Sequence, residues 1–483
     1  MESSKLKNYI AGDWREPASA EMLDVLNPAT DEVIGEVPLS TTEETNAAVA
    51  AAAEIFDEWR ETPPTVRAQY LFRLKDLMEE SFEDLARTIV QEEGKTLDEA
   101  RGEIRRTIEN VEVAAGIPSL MMGYNLEDVA RGIDEEMVRQ PLGVFAVVAP
   151  FNFPAMVPWW FAPYALATGN TYIIKPSEQV PFTQYRIFEL LDELEFPPGV
   201  ISLVNGGKDV VDALLAHPDI VGISSVTSTP VARYIYTKAC QHGKRAQCQA
   251  GAKNFIVVMP DADLERTVPG LLTSLFGCAG ERCLAGAVIL AMGDVYEPLK
   301  KRFVEAAARI KVGNPLDETV QMGPVISRQH KERVLGYIEQ GLQEGAKLLL
   351  DGRGIEVEGC RNGYFVGPTV LDEVRPEMTI ANEEIFGPVP CIIRVEDLNE
   401  AIDIIHANPY GNASSIFTAS GAAAREFKYR VRCGNIGINV GVAAPMAFFP
   451  FGGRRDSFFG DLHGQGRDAV DFFTEKKVVI SRW

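Results

Sequence analysis

At 483 residues the chain exceeds what one hydrophobic core usually supports, so two or three domains are expected. Apolar residues make up 46% and charged residues 24%, ordinary values for a soluble globular enzyme. Its 47 Lys and Arg face 69 Asp and Glu, and a net charge of −22 argues against a nucleic-acid backbone or an anionic membrane as partner.

Seven cysteines, an odd number, lie scattered without C-x-x-C spacing, which argues against a disulfide framework or zinc site and for a reducing compartment. Five histidines without H-x-x-x-H spacing give no support for a metal centre. The opening MESSKLKNYIAGDW lacks the apolar core of a signal peptide, and no run is apolar enough to span a bilayer, so a cytoplasmic location is expected.

In chain order, Tyr9–Leu26 reads as short strands with a turn at Gly12-Asp13. A capped start at Thr41-Thr42-Glu43-Glu44 predicts a first helix. Apolar spacing at Leu71, Leu74, Leu77 and Met78 predicts a helix over Val66–Gln91, and another amphipathic segment runs from about Leu97 to Ala115. From Gly143 strands and helices alternate. Strands 143–150, 171–175, 200–206 and 220–226 enclose helices over MVPWWFAPYALAT, 182–194 and 209–216, followed by a helix over 232–239. Such a series predicts a doubly wound parallel sheet with its ligand crevice at the C-terminal strand ends.

A second alternating series begins near Asn254. Strands are expected at 254–260, 285–291, 347–352, 390–395 and 435–440, with helices at Leu264–Phe276, Glu332–Gln343 and Leu398–Ala407. The boundaries drawn are 1–119 with 143–249 for a cofactor domain, 250–456 for a second α/β domain, and 120–142 with 457–483 for an arm. The terminal strand 476–483 suits pairing with another sheet, in this subunit or its neighbour.

The stretch FGCAGERCLAG (276–286) ends the first helix of the second series. Cys283 there follows Arg282 among small residues, and a thiolate beside a cation is a nucleophile for carbonyl carbon. Alone, such a cysteine reads first as an ordinary packed core residue. Three other segments accompany it: Pro150-Phe151-Asn152-Phe153-Pro154, Lys175-Pro176-Ser177-Glu178 and Glu383-Glu384-Ile385-Phe386-Gly387-Pro388. Together, in this order, they resemble the aldehyde dehydrogenase superfamily over nearly the whole chain. APFNFPAMVPWW, HGKRAQCQAGAKN, NPYGN and SFFGD are closest to its methylmalonate-semialdehyde dehydrogenase branch, which uses NAD and coenzyme A to form an acyl-CoA and carbon dioxide.

That resemblance implies a Rossmann-type cofactor domain, a second α/β catalytic domain and an oligomerisation arm building dimers or tetramers. It implies Cys283 as nucleophile and Asn152 as an oxyanion donor. Ala149, Phe151, Lys175, Glu178, Gln179, Ser228, Ala250, Glu384 and Phe386 would face the dinucleotide. A carboxylate at Glu178 would accept from the ribose hydroxyls and repel a 2′-phosphate, favouring NAD over NADP. Arg106 and Arg282 would meet the substrate carboxylate, for which a bidentate Arg is the natural partner.

Gln249 stands where hydrolytic relatives carry a glutamate base. An amide cannot take a proton from water, whereas a coenzyme A thiol ionises near ~8.5 and needs less help, so transfer to a thiol is expected. Two departures bear on this. Thr227-Ser228-Thr229-Pro230-Val231-Ala232 replaces both glycines of the family's G-S-T-x-x-G pyrophosphate turn, which would add bulk beside the cofactor. Glu281 would set a negative charge near an incoming carboxylate. Dehydrogenation of another semialdehyde, by hydrolysis or acylation, and a non-catalytic member with weak cofactor binding stay open at this point.

Overall fold

The run Val144–Val148 is apolar throughout and lies where such a run belongs, inside a sheet covered on both faces. The structure, a computed structural model, describes residues 4–483. Arg245–Gln249, Ile220–Val226, Val144–Val148, Thr171–Lys175 and Ile201–Leu203 run parallel in that spatial order. Antiparallel strands flank them, Phe458–Phe459 at one edge and the hairpin Asn8–Ile10/Asp13–Arg15 at the other, giving eight strands in all.

The second series forms a seven-stranded sheet in the order Lys347–Leu350, Val370–Asp372, Cys391–Val395, Gly286–Met292, Asn254–Val258, Ala413–Phe417 and Asn435–Ile438. Only its first pair is antiparallel. Separate apolar clusters cover its two faces, one built around Val257, Leu290 and Ile393, the other around Ile256, Ile289 and Phe303.

Proline explains one departure from the expected elements. The stretch after Asn152 forms a short 3₁₀ turn at Pro158–Trp160 and a helix only at Ala162–Thr168, because Pro158 and Pro163 lack the N–H that a continuous helix needs. The helix expected over Val66–Gln91 is two, Pro64–Glu80 and Phe82–Glu93, joined at Ser81. Leu97–Ala115 opens on a capping box, Thr96 accepting from the Glu99 N–H while Glu99 reaches back to the Thr96 N–H. Its apolar face is buried against neighbouring helices, and Glu99, Glu103 and Arg106, four and three residues apart, share another side.

The strands Tyr124–Ala130 and Ile133–Pro141 and the terminal strand Thr474–Arg482 make a three-stranded sheet with Ile133–Pro141 in the middle. The rest of the segment expected in the arm lies elsewhere. Phe458–Phe459 edges the eight-stranded sheet, and Gly466–Phe473 packs against Ala162–Thr168, drawn in by buried Ala469, Val470, Phe472 and Phe473.

Candidate active site

The helix Leu264–Phe276 delivers the chain to a turn in which Cys278, Ala279 and Gly280 all take left-handed backbone angles, φ 49°, 50° and 79°. Gly280 is required here, since a Cβ would sit 2.3 Å from the Gly387 carbonyl oxygen. Glu99 Oε1 accepts from the Cys278 N–H at 2.6 Å and from Arg282 Nη2 at 3.1 Å. Past the turn, the Cys283 carbonyl accepts from two side-chain amides, Asn254 Nδ2 at 2.9 Å and Asn412 Nδ2 at 2.7 Å. The thiol lies where two cavities meet and lines both.

The larger cavity, about 650 Å³, runs along the C-terminal ends of the parallel strands. Ala149, Phe151, Asn152, Lys175, Glu178, Ser228, Ala250, Glu384 and Phe386 all line it. Lys175 Nζ lies 2.9 Å from Glu178. Burial alone would protonate Glu178, yet Lys175 outweighs it and holds the carboxyl below its ordinary range. Glu384 Oε1 accepts from the Ala252 N–H at 2.9 Å, and burial pushes its carboxyl up to about 7. Phe386 is itself left-handed at φ 60°, and its carbonyl meets His330 Nε2 at 2.6 Å.

Gln179 is a correction: it is exposed and does not line the cleft, its N–H turning back to the Ser177 hydroxyl. The altered turn is also less crowded than its sequence implies. The Ala232 methyl is buried in the sheet's core, and only Thr227, Ser228, Pro230 and Val231 of the turn face the cleft. Sequence reasoning missed His330 and Arg333. Both sit on the helix Arg328–Gln343, and Arg333 Nη2 donates to the Glu384 carbonyl at 3.1 Å. No local pattern marks them, because their partners are backbone carbonyls more than fifty residues away.

The second cavity, about 340 Å³, opens on the other side of Cys283 between the helix Leu97–Ala115 and the loop carrying Val442–Ala447. Arg106 and Arg282 both line it, with Phe153, Trp160 and Phe451 among its apolar walls. The two arginines differ in what already holds them. Arg106, about a third exposed, pairs with Glu109 at 3.0 Å one turn along its own helix. Arg282 is tied down on three sides, by Glu99, by Cys278 Sγ at 3.2 Å from Nε, and by the Thr273 carbonyl.

That tethering corrects one expectation. Burial, and next the negative charge of Glu384, push the Cys283 thiol up to about 12; Arg282 acts against this only after the Cys283 and Leu284 N–H groups. A second correction concerns Glu281, which lines neither cavity. Its carboxyl is buried behind the loop, 3.3 Å from both the Ile326 N–H and His330 Nε2, and burial raises its pKa well above the usual carboxyl value. No carboxylate from Glu281 confronts the substrate cavity.

The Asn152 Nδ2 atom donates to the Glu281 carbonyl at 2.8 Å, which uses one of its two hydrogens and leaves the other for a ligand. Gln249 Nε2 donates to the Phe451 carbonyl at 2.9 Å, and Gln249 lines neither cavity. Among the described residues no cluster suits a metal ion, and no helix is long and apolar enough to cross a membrane.

The model of the aldehyde dehydrogenase family matches residues 14–479. A malonate-semialdehyde dehydrogenase of Geobacillus kaustophilus is 50% identical over 482 residues, covering 100% of this chain and 99% of that protein. A methylmalonate-semialdehyde dehydrogenase structure from Oceanimonas doudoroffii superposes with a TM-score of 0.98 at 44% identity, covering 99% of this chain and 98% of that one. A Sinorhizobium meliloti protein solved complexed with NAD, which carries the provisional name methylmalonate-semialdehyde dehydrogenase, gives 0.98 at 40% identity, covering 100% of this chain and 98% of that one.

Proposed function

The chain belongs to the aldehyde dehydrogenase family, and we propose that it oxidises malonate or methylmalonate semialdehyde with NAD and passes the acyl group to coenzyme A, releasing carbon dioxide. The observation that carries this reading is the position of Cys283, shared by a cleft of dinucleotide dimensions and a smaller cavity whose lining includes Arg106 and Arg282. The names of the similar proteins support the substrate class.

The cleft suits NAD. Glu178, ionised beside Lys175, offers a ribose acceptor, and Glu384 and Phe386 stand nearer the cysteine to hold a second ribose. Bound there, the dinucleotide supplies the hydride acceptor. Cys283 attacks the aldehyde carbon as its thiolate, the thiol proton having passed to solvent, and the oxygen gains negative charge as the C–S bond forms. The free hydrogen of Asn152 Nδ2 and the Cys283 N–H are the donors for that oxygen. Loss of hydride from the thiohemiacetal carbon would leave a thioester on Cys283 that still carries the substrate carboxylate. The bond to that carboxyl then breaks, carbon dioxide leaves, and a proton from solvent takes its place to give the acetyl or propionyl thioester. The Gln249 amide has no basicity for activating water, and its hydrogen bond to Phe451 holds it out of both cavities. A coenzyme A thiolate needs no such base and takes the acyl group directly.

Arg106 is the cation for the substrate carboxylate, because among the described residues Glu109 is its one carboxylate partner and the thioether of Met446, its other contact, is a weak acceptor. Arg282 serves first as the brace of the cysteine loop and presents a positive wall behind it. The decisive assay follows NADH formation from malonate semialdehyde with and without coenzyme A, in the native protein and in Cys283→Ala. Turnover that requires coenzyme A and yields acyl-CoA is expected; equal turnover without it, giving a free acid, overturns the acylating reading. Preference for succinate semialdehyde overturns the assigned chain length.

The arm sheet supports self-association. Met122, Tyr124, Leu126, Val478, Ile480 and Trp483 are exposed on it, and among the described residues neither edge strand has a neighbour on its outer side. A second copy of the chain is the proposed cover, and light scattering should give a dimer or tetramer. All seven cysteines are unpaired, which supports a reducing, cytoplasmic setting.

A further inference from the structure

Behind Asn152 lies a lysine that touches neither cavity of the active site. Lys95 has no exposed side-chain surface, and its Nζ reaches Glu103 Oε2 at 2.6 Å, the Asn152 carbonyl at 2.7 Å and the face of the Phe153 ring at 3.9 Å. Glu93 is a more distant partner at 3.8 Å. Burial works against the ammonium, yet Glu103 and then Glu93 overcome it and its pKa is raised. The other oxygen of Glu103 accepts from the Ala155 N–H at 2.8 Å and the Met156 N–H at 3.1 Å. One buried ion pair thus grips the backbone on both sides of the turn that carries Asn152.

We propose that Lys95, with Glu103, is a positioning residue that fixes the Asn152 amide in its oxyanion-donating place, which rests on the reading of Asn152 given above. A buried ion pair contributes little to stability compared with apolar residues of the same volume, so stability alone does not account for it. What it supplies is direction. The Asn152 side chain is aimed by two anchors: its own carbonyl held by Lys95, and one amide hydrogen held by the Glu281 carbonyl. With the Lys95 anchor gone, the turn is free to move by a fraction of an ångström while the Phe153 and Met156 walls remain. A displacement near 1 Å at such a donor costs on the order of 10²-fold in rate.

The test is a double-mutant cycle on the rate of NADH formation, with Lys95→Met in the native background and in Asn152→Ala. Lys95→Met should lower kcat by about 10- to 100-fold, with the KM for NAD within about twofold of native. In the Asn152→Ala background the same substitution should cost less than about twofold, since the group it positions is gone. Equal losses in both backgrounds, with Asn152→Ala itself slow, overturn the assignment of Lys95 and leave the Asn152 reading standing. A normal kcat in Asn152→Ala alone overturns that reading and this one with it. If Lys95→Met does not fold, Glu103→Gln, which keeps the shape and removes the charge, runs the same cycle with the same criteria.

Discussion

The two cavities that share Cys283 are built on different plans. The dinucleotide cleft follows the ends of adjacent parallel strands, so its groups arrive in short segments: Ala149 to Asn152 after one strand, Lys175 to Glu178 after the next. The substrate cavity has no such organiser. One helix contributes Asp98, Glu99, Gly102, Glu103, Arg106 and Asn110, the cysteine loop Arg282 to Leu284, and a distant loop Val442 to Ala447. A sheet edge fixes the positions of several groups at once, while a cavity between a helix and loops depends on pairwise contacts such as Glu99 to Arg282. On the proposed assignment of the two cavities, cofactor recognition follows from topology and substrate choice from side chains.

Substitutions that touch one side and spare the other would break this division or sharpen it. Cys283→Ala, at the junction, should abolish NADH formation by on the order of 10⁴-fold or more while NAD still binds by calorimetric titration. Arg106→Met should lower kcat/KM for a carboxylated semialdehyde by about 10- to 100-fold, the worth of a charge-assisted hydrogen bond, and leave an uncharged aldehyde such as propanal unaffected. A changed KM for NAD in that variant would show that the cavities are not separable. Glu178→Ala should raise the KM for NAD about tenfold with the aldehyde KM unmoved, measured by initial rates at fixed saturating partner.

The smallest effect concerns stability. Burial raises Glu93 to about 8 and Glu384 to about 7 from the ordinary carboxyl value of 4.5. The folded protein then holds protons that the unfolded chain releases, so this contribution is complete below about pH 4.5 and is lost as pH rises through 7 to 8. Midpoints of urea unfolding should fall between pH 5 and 8.5, and Glu93→Gln should flatten that slope. A midpoint rising with pH would contradict the sign.

What the sequence disclosed and what it withheld follow the same division. The strand ends and their motifs were legible because neighbouring residues act together: Lys175 and Glu178 lie in one turn, and both line the cleft as expected. Helix Leu97–Ala115 was legible through its apolar spacing, while its capping box at Thr96 and Glu99 emerged only from the structure. The direction of Glu281 was not, because a carboxylate in a loop carries no sign of which side of the chain it faces. Only Ile326 and His330, arriving from elsewhere, draw it inward. Arg282 was read as an activator for the same reason; adjacency in sequence put it next to Cys283, but Glu99 and the Thr273 carbonyl decide where its guanidinium points.

The left-handed turn at Cys278, Ala279 and Gly280 has a consequence for how the protein exchanges its ligands. Its first N–H is held by Glu99, which belongs to a helix packed on the cofactor-binding half, whereas the turn and the cysteine belong to the other half. A hinge that swung the halves apart would pull that carboxylate away and release three strained residues together, dismantling the nucleophile's seat on every opening. The contact sets the expectation that ligands exchange by sliding along standing walls, with this seat kept closed.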